Sequence, residues 1–313
     1  MTPETTPYSS LQQLLPDARI IPLWPEAHSN TRLTPQIIER GNAQLPDRLL
    51  TGTIIPEMVL VPPAGPGNGI GVVILPGGGY TRTAFDKEGM DTANTLAAAG
   101  FTCAVVNYRM PGDGHPLGNA TPLADAQRAV RLLRARSRAL SLEHVMVVGF
   151  SAGGHLAGWL AARWDRVCDM PQDDTDTLSA RPDLAALIYP VISMDENISP
   201  WGTLQQLPAS IASQALNPAF SVETMVNSHT PPCFLVHATD DPTVPVANSL
   251  VMWQALNAQG VAADMHIVAQ GGHGFGIRKT AGLPVADWPQ WLIKWIEFRI
   301  NKGEKSTGKD GGL

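Results

Sequence analysis

The sequence predicts an α/β chain: one doubly wound, mostly parallel sheet with helices on both faces. Two observations carry this. The apolar runs of strand length, such as IGVVIL (70–75) and HVMVVGF (144–150), are continuous rather than alternating, as in strands covered on both faces. Segments with helical periodicity lie between them, and a β-α-β-α alternation builds a single layered sheet.

Residues 1–50 are rich in Pro and Thr and have little apolar periodicity. They read as an extended arm laid over a domain spanning 51–301, with a short helix near Pro35 to Arg40. After IGVVIL, the segment TANTLAAAG (92–100) is helical and stops at a glycine. FTCAVVNYR is the next strand, and 125–140 is a helix with a basic face and an apolar stripe of Ala129, Leu132 and Leu133. HVMVVGF then runs straight into Ser151. LAALIYPVIS, PPCFLVHAT and DMHIVAQ supply three further strands, and WPQWLIKWIEFRI (288–300) is a closing amphipathic helix. Two stretches, 165–183 and 194–230, interrupt the alternation and are expected to form lids or pocket walls beyond the carboxyl ends of the strands. The low-apolar tail, 302–313, is expected to be disordered.

Composition excludes several classes. At 44% hydrophobic and 16% charged residues, the chain is far from the low-apolar, high-charge regime of disorder. A net charge of −6 provides no basic field for nucleic acid or anionic lipid, so neither is expected as a partner. The apolar runs fall well short of the roughly 20 residues that span a bilayer, so no membrane association is expected. The opening MTPETTPYSSLQQLLP has no basic n-region and no apolar h-region. A cytoplasmic location is the expectation, or a secreted or periplasmic one if a signal has been removed. Cys103, Cys168 and Cys233 are odd in number and widely spaced, which suggests neither a disulfide framework nor a metal site.

The strongest chemical signal is Gly149-Phe150-Ser151-Ala152-Gly153, a G-x-S-x-G between a strand and a helix. On such a sharp turn the serine hydroxyl projects above the sheet, and the helix start aims free N–H groups at developing negative charge. A serine needs a base, and the base needs an orienting acid; behind such an elbow the chain order is Ser, Asp or Glu, His. The strand PPCFLVHA ends in Thr239-Asp240-Asp241-Pro242, and the last strand ends in Gly271-Gly272-His273-Gly274. Asp241 precedes a proline, which holds it extended and suits a carboxylate pointing out of a loop. It is therefore the expected acid, with Asp240 bonding loop amides. His273 is the expected base. His115 and His155 precede the acid, His237 and His266 lie inside strands, and the others fall outside the order; His155, one turn beyond Ser151, reads as a packed or capping residue. Pro76-Gly77-Gly78-Gly79-Tyr80 directly follows IGVVIL, and three glycines let backbone N–H groups approach a substrate oxygen. Gly78, Gly79 and Ala152 are the expected oxyanion donors. Tyr80, Met194 and Trp201 are expected to close over the acyl position and leave a short, acetyl-sized pocket.

These pieces resemble the α/β-hydrolase superfamily and, within it, the hormone-sensitive-lipase-like esterases and their acetylxylan-esterase relatives. The resemblance is carried by LWPEA, PGGGY, DKEG, VNYR, DAQRAVRLLR, GFSAGGHLA, TPPCFLVHATDDPTVP and GGHGFG, in that order, from Leu23 to Ile300. The departure is Pro76, where many lipase-like members have a histidine before the glycines; that histidine is not the base, so the chemistry survives. The acetyl-esterase branch often carries the PGGGY form. The resemblance therefore implies an α/β-hydrolase fold and a serine esterase that removes acetyl groups from xylan, xylo-oligosaccharides or other sugars. Its partner is a small-molecule or oligosaccharide ester, and no metal or organic cofactor is required. A general short-chain carboxylesterase and a prolyl-oligopeptidase-like peptidase share the Ser-Asp-His order, although no long propeller-forming N-terminal region is visible. A non-catalytic binding protein on the same scaffold is disfavoured by the complete residue set.

Overall fold

The computed structural model describes residues 5–25, 33–199 and 218–307. Among these residues the strands are, in chain order, β1 Thr5–Pro7, β2 Arg19–Pro22, β3 Gln36–Glu39, β4 Arg48–Thr51, β5 Glu57–Val61, β6 Ile70–Leu75, β7 Thr83–Ala84, β8 Thr102–Asn107, β9 His144–Phe150, β10 Ala185–Ile188, β11 Cys233–Ala238 and β12 Ala263–Val268. Eight of them form one sheet in the order β12-β11-β10-β9-β6-β8-β5-β2. Six neighbours, β8 to β12 through β6 and β9, run parallel, while β5 and β2 are antiparallel at one edge.

The period of two along each strand decides which face a side chain enters. In β6, Val73 and Leu75 pack in one core with the helices α2 (Thr121–Ala135) and α4 (Ala152–Ala162), whereas Ile70, Val72 and Ile74 pack in a second core on the other face. That second core receives Ala93 and Leu96 of α1 (Asp91–Ala98) and Trp288, Leu292 and Ile296 of the C-terminal helix. Both faces of the sheet are thereby dry, which is why its central strands read as unbroken apolar runs. A one-turn α3 (Ser137–Leu140) follows α2, and α5 is Ala247–Ala258. The closing helix, α6, runs from Trp288 to Thr307, so it continues six residues into the stretch expected to be a disordered tail.

The N-terminal region departs further from expectation. The stretch near Pro35 to Arg40 is not helical but contains β3, paired antiparallel with both β1 and β4 in a small four-stranded sheet closed by β7. β2 joins the edge of the main sheet. The arm is integral to the fold because some of its apolar side chains reach the cores: Leu11 and Leu23 are fully covered, and Glu57 of β5 accepts both the Ser10 hydroxyl and the Leu11 N–H. Cys103 and Cys233 are buried in strands, and burial pushes the Cys233 thiol up to about 12.

Segment 165–183 also lies elsewhere than expected. A helix joining two parallel strands must run back against them, so α4 starts just after Ser151 and ends at the opposite edge of the sheet. Asp183 there exchanges hydrogen bonds with Val145, near the start of β9. The buried Arg128 pins the segment to α2 through Asp173 and Asp176. It walls no pocket at the elbow.

Candidate active site

The centre of the sheet is where β6 and β9 lie side by side, with the chain leaving to opposite sides, and ligands bind beyond the carboxyl ends of strands at such a point. β9 ends there at Phe150, and the chain turns through Ser151 (φ 53, ψ −118) directly into α4. A serine at positive φ is strained by roughly 1–3 kcal/mol and persists only where its surroundings overdetermine it. Here its N–H donates to Ile188 O at 3.1 Å, and its carbonyl accepts the N–H groups of Val191 and His155. Glycine is obligatory on both sides of the turn. A Cβ on Gly149 would stand 2.1 Å from Gly153 O, and one on Gly153 would stand 2.1 Å from Leu75 O.

Loops after β11 and β12 reach the same edge. Ser151 Oγ lies 2.9 Å from His273 Nε2, and His273 Nδ1 lies 2.7 Å from Asp241 Oδ2. With the proton on Nδ1 donated to the carboxylate, Nε2 is free to accept from the serine hydroxyl. Asp241 Oδ1 takes the N–H groups of Thr243 and Val244, each at 2.8 Å, so both oxygens are engaged and the side chain is fully buried. Burial pushes this carboxyl up. The hydrogen bonds from His237 and His273 outweigh it and hold the group well below the usual carboxylate range. Asp240 faces away from the imidazole: its Oδ1 accepts the N–H groups of Gly271 and Gly272, at 2.9 and 2.7 Å, and so shapes the loop that carries His273.

The glycine loop after β6 closes the arrangement. Its carbonyls are taken inward: Pro76 O accepts the Tyr108 hydroxyl at 2.7 Å, Gly77 O accepts Ala84 N–H at 2.8 Å, and Gly78 O accepts both Thr81 N–H and its hydroxyl. Among the described residues no hydrogen bond engages the Gly78 or Gly79 N–H. Ala152 opens α4, where N–H groups have no intrahelical partner.

Of the three side chains expected over the acyl position, the two that are described, Tyr80 and Met194, do not form that wall. Tyr80 has positive φ and is fully buried; its hydroxyl meets His155 Nδ1 at 2.9 Å, so it turns into the core instead of the pocket. Met194 is 5% exposed within the apolar core beside α4. Trp201 lies outside the described residues. His155 is fully buried between Tyr80 and the Phe220 carbonyl, and burial lowers its pKa to about 4. His115 is buried as well and lies outside this group. Three neighbours of the site were not singled out from sequence. His237 Nε2 lies 3.4 Å from Asp241 Oδ2 and 2.9 Å from Val244 O, and its Nδ1 meets Ser249 Oγ at 2.8 Å. The buried pair Glu88 and Tyr189 lies beneath the glycine loop. The only sequence signal was position: His237 stands four residues before Asp241, and Glu88 follows the glycine loop. Among the described residues no group of three or more His, Cys, Asp or Glu side chains is placed to hold a metal ion, and no helix is long and apolar enough to cross a membrane.

The fold, with a serine elbow at the switch point of its sheet, defines the class as an α/β-hydrolase. Residues 59–256 match the BD-FAE family model, and the chain belongs to that family. It is similar to an acetylxylan esterase of Xylanibacter ruminicola, at 32% identity over 227 residues, 70% of this chain and 44% of that protein. It is similar to an endo-1,4-beta-xylanase B of Butyrivibrio fibrisolvens, at 31% identity, covering 66% of this chain and 32% of that one. The chain thus spans less than half the length of these curated relatives. Among solved structures it resembles an acetyl ester-xyloside bifunctional hydrolase from Caldicellulosiruptor lactoaceticus, with a TM-score of 0.74 and 33% identity over 89% of this chain and 95% of that one.

Proposed function

We propose that this protein is a serine carboxylesterase that removes acetyl groups from acetylated xylan, xylo-oligosaccharides or related acetylated sugars. The observation that carries the reading is the continuous hydrogen-bond chain from Ser151 through His273 to Asp241, at 2.9 and 2.7 Å, on a serine held at positive φ. The acetyl and xylan part is supported by two of the relatives' names, an acetylxylan esterase and an acetyl ester-xyloside hydrolase, both above 30% identity.

Ser151 Oγ attacks the ester carbonyl as His273 Nε2 takes its proton. Asp241 keeps the imidazole in the tautomer that can accept, and stabilises the imidazolium that forms. The N–H groups of Gly78, Gly79 and Ala152 receive the oxyanion, each such donor being worth roughly 3 kcal/mol in other hydrolases. His273 then gives that proton to the departing sugar oxygen as the ester C–O bond breaks, and the sugar leaves with a free hydroxyl. Water repeats the cycle on the acyl-enzyme and releases acetate.

The test is acetate release from acetylated xylan and from acetylated xylo-oligosaccharides, by wild type and by Ser151→Ala, with acetyl, butyryl and hexanoyl nitrophenyl esters run in parallel. Release by the wild type and a loss of several orders of magnitude in a folded Ser151→Ala are expected. A preference for butyryl or hexanoyl esters with no acetate release from either carbohydrate would overturn the acetyl reading. Near-wild-type turnover by Ser151→Ala would overturn the nucleophile.

A further inference from the structure

The DKEG stretch and the tyrosine of LAALIYPVIS have no part in the steps above, yet both side chains are buried beside them. Glu88 is 4% exposed, on the π-helical turn Phe85–Met90 that follows the glycine loop, and such turns recur at functional sites. Tyr189 is fully buried just past the carboxyl end of β10 and has a φ of 37. Glu88 Oε2 accepts the Gly77 N–H at 2.7 Å, and Oε1 accepts the Tyr189 hydroxyl at 3.0 Å. The Tyr189 oxygen in turn accepts the Gly276 N–H at 3.1 Å. Its ring stands edge-on to His273 and Phe275, with centroids 5.1 and 4.5 Å away. A Cβ on Gly77 would be 2.8 Å from Glu88 Oε2 and 2.9 Å from Ser151 Cβ, so the carboxylate and the serine flank one glycine.

Peptide planarity says what the bond to Gly77 does. In a trans peptide the C=O and the N–H point in opposite directions. The Gly77 and Gly78 carbonyls are turned toward residues 81–84, so the N–H groups of Gly78 and Gly79 face the other way. That orientation holds only while the preceding peptide is fixed, and Glu88 fixes its N–H. A buried carboxylate is tolerated only when its oxygens are hydrogen-bonded, and a charge-assisted bond is about twice as strong as a neutral one. Glu88 spends one oxygen on the anion loop and the other, through Tyr189, on the loop of His273.

We propose that Glu88, acting through Tyr189, is the positioning residue that holds the Gly78–Gly79 anion loop in register with the His273 loop. This rests on the reading of Ser151 and His273 given above. Glu88 touches no reacting atom. Glu88→Gln keeps the shape but cannot complete the chain: its amide must place a second donor toward a Tyr189 oxygen already taken by Gly276. Tyr189→Phe removes one oxygen and leaves Gly276 N–H and one Glu88 oxygen without their shared partner.

The experiment measures kcat and KM on 4-nitrophenyl acetate, and the rate at which a fluorophosphonate labels Ser151, for wild type, Glu88→Gln, Tyr189→Phe and the double variant, each checked by thermal melting. The expected result is a kcat lower by about 10- to 100-fold in each single variant, since losing a whole oxyanion donor costs about 10²- to 10³-fold and a misaligned one less. KM should stay within about threefold, and labelling should slow by the same factor as kcat, because both measure the oxyanion. The double variant should be no slower than about the worse single, as members of one chain are not additive. Additive losses, a loss confined to KM, or wild-type kcat in Glu88→Gln overturn the proposal while leaving labelled Ser151 as nucleophile. If Glu88→Gln does not fold, Tyr189→Phe decides: kcat within twofold of wild type overturns it. Absence of label on Ser151 in the wild type overturns the nucleophile and this proposal together.

Discussion

Two adjacent carboxylates offer a sharp comparison, because Asp240 and Asp241 are both engaged in hydrogen bonds yet hold different things. In Asp241→Asn the side-chain amide has two orientations. With its oxygen kept on the Thr243 and Val244 N–H groups, its NH₂ faces His273 Nδ1, forcing the proton to Nε2, where the imidazole can no longer accept from Ser151. With the amide reversed, the NH₂ confronts two backbone donors 2.8 Å from the present oxygen and leaves them unsatisfied, at about 1–3 kcal/mol each. The first orientation is therefore the lower in energy, and it carries the wrong tautomer. The same change in another serine hydrolase lowers kcat by about 10⁴, or roughly 5.5 kcal/mol, and a loss of about 10³- to 10⁴-fold is expected here. In Asp240→Asn the oxygen still accepts from Gly271 and Gly272, and two charge-assisted bonds become neutral. That change costs about 1 kcal/mol and no tautomer, so kcat should fall less than about fivefold. The assay is kcat on 4-nitrophenyl acetate, with folding checked by circular dichroism. If the folded Asp240 variant is the slower of the two, or if Asp241→Asn stays within tenfold of wild type, the assignment of the acid is wrong.

Three further outcomes follow from the geometry. Because hydrogen bonds hold Asp241 well below the usual carboxylate range, this carboxylate takes up no proton in the acid limb; log kcat/KM should rise with pH at a slope of one, and a slope of two would contradict this. His155 is neutral in the folded state because burial lowers its pKa to about 4, while the unfolded chain binds that proton from about pH 6.5 downward. The unfolded state thus holds the extra proton between these values, so its contribution makes stability fall by about 3 kcal/mol as pH drops from about 6.5 to 4, and urea titrations of wild type and His155→Gln should diverge across that window. Gly153→Ala sets a Cβ 2.1 Å from Leu75 O and 2.5 Å from Pro76 O, backbone atoms that have no rotamer to yield; a loss of about 3 kcal/mol in urea unfolding is expected, and an unchanged midpoint would refute the close approach.

What the sequence determined by itself is local. The continuous apolar run of β9, the small residues about Ser151 and the helix after it specify an elbow within about ten residues, because sterics at a tight turn and strand or helix periodicity are short-range. The central strands were readable for the same reason, since a strand dry on both faces has no polar alternation. Loops ending β11 and β12 are ordered along the chain, which points to Asp240 or Asp241 as acid and to His273 as base, with the proline after Asp241 favouring that residue. Other matters depended on which segments meet. The β3 segment reads as a short helix in sequence but forms a strand, because its pairing with β1 and β4 supplies what its own pattern lacks. Tyr80 and Met194 follow loop and strand much as pocket residues do, but a buried partner at His155 and an apolar core beside α4 draw them inward. Segment 165–183 reads like any other insertion, and only the direction of α4 against the sheet carries it to the far edge. The hydrogen bonds that separate Asp240 from Asp241, and those that join Glu88 to both loops, link residues up to 101 positions apart. No local pattern encodes a contact that exists only once the sheet has brought its loops to one edge.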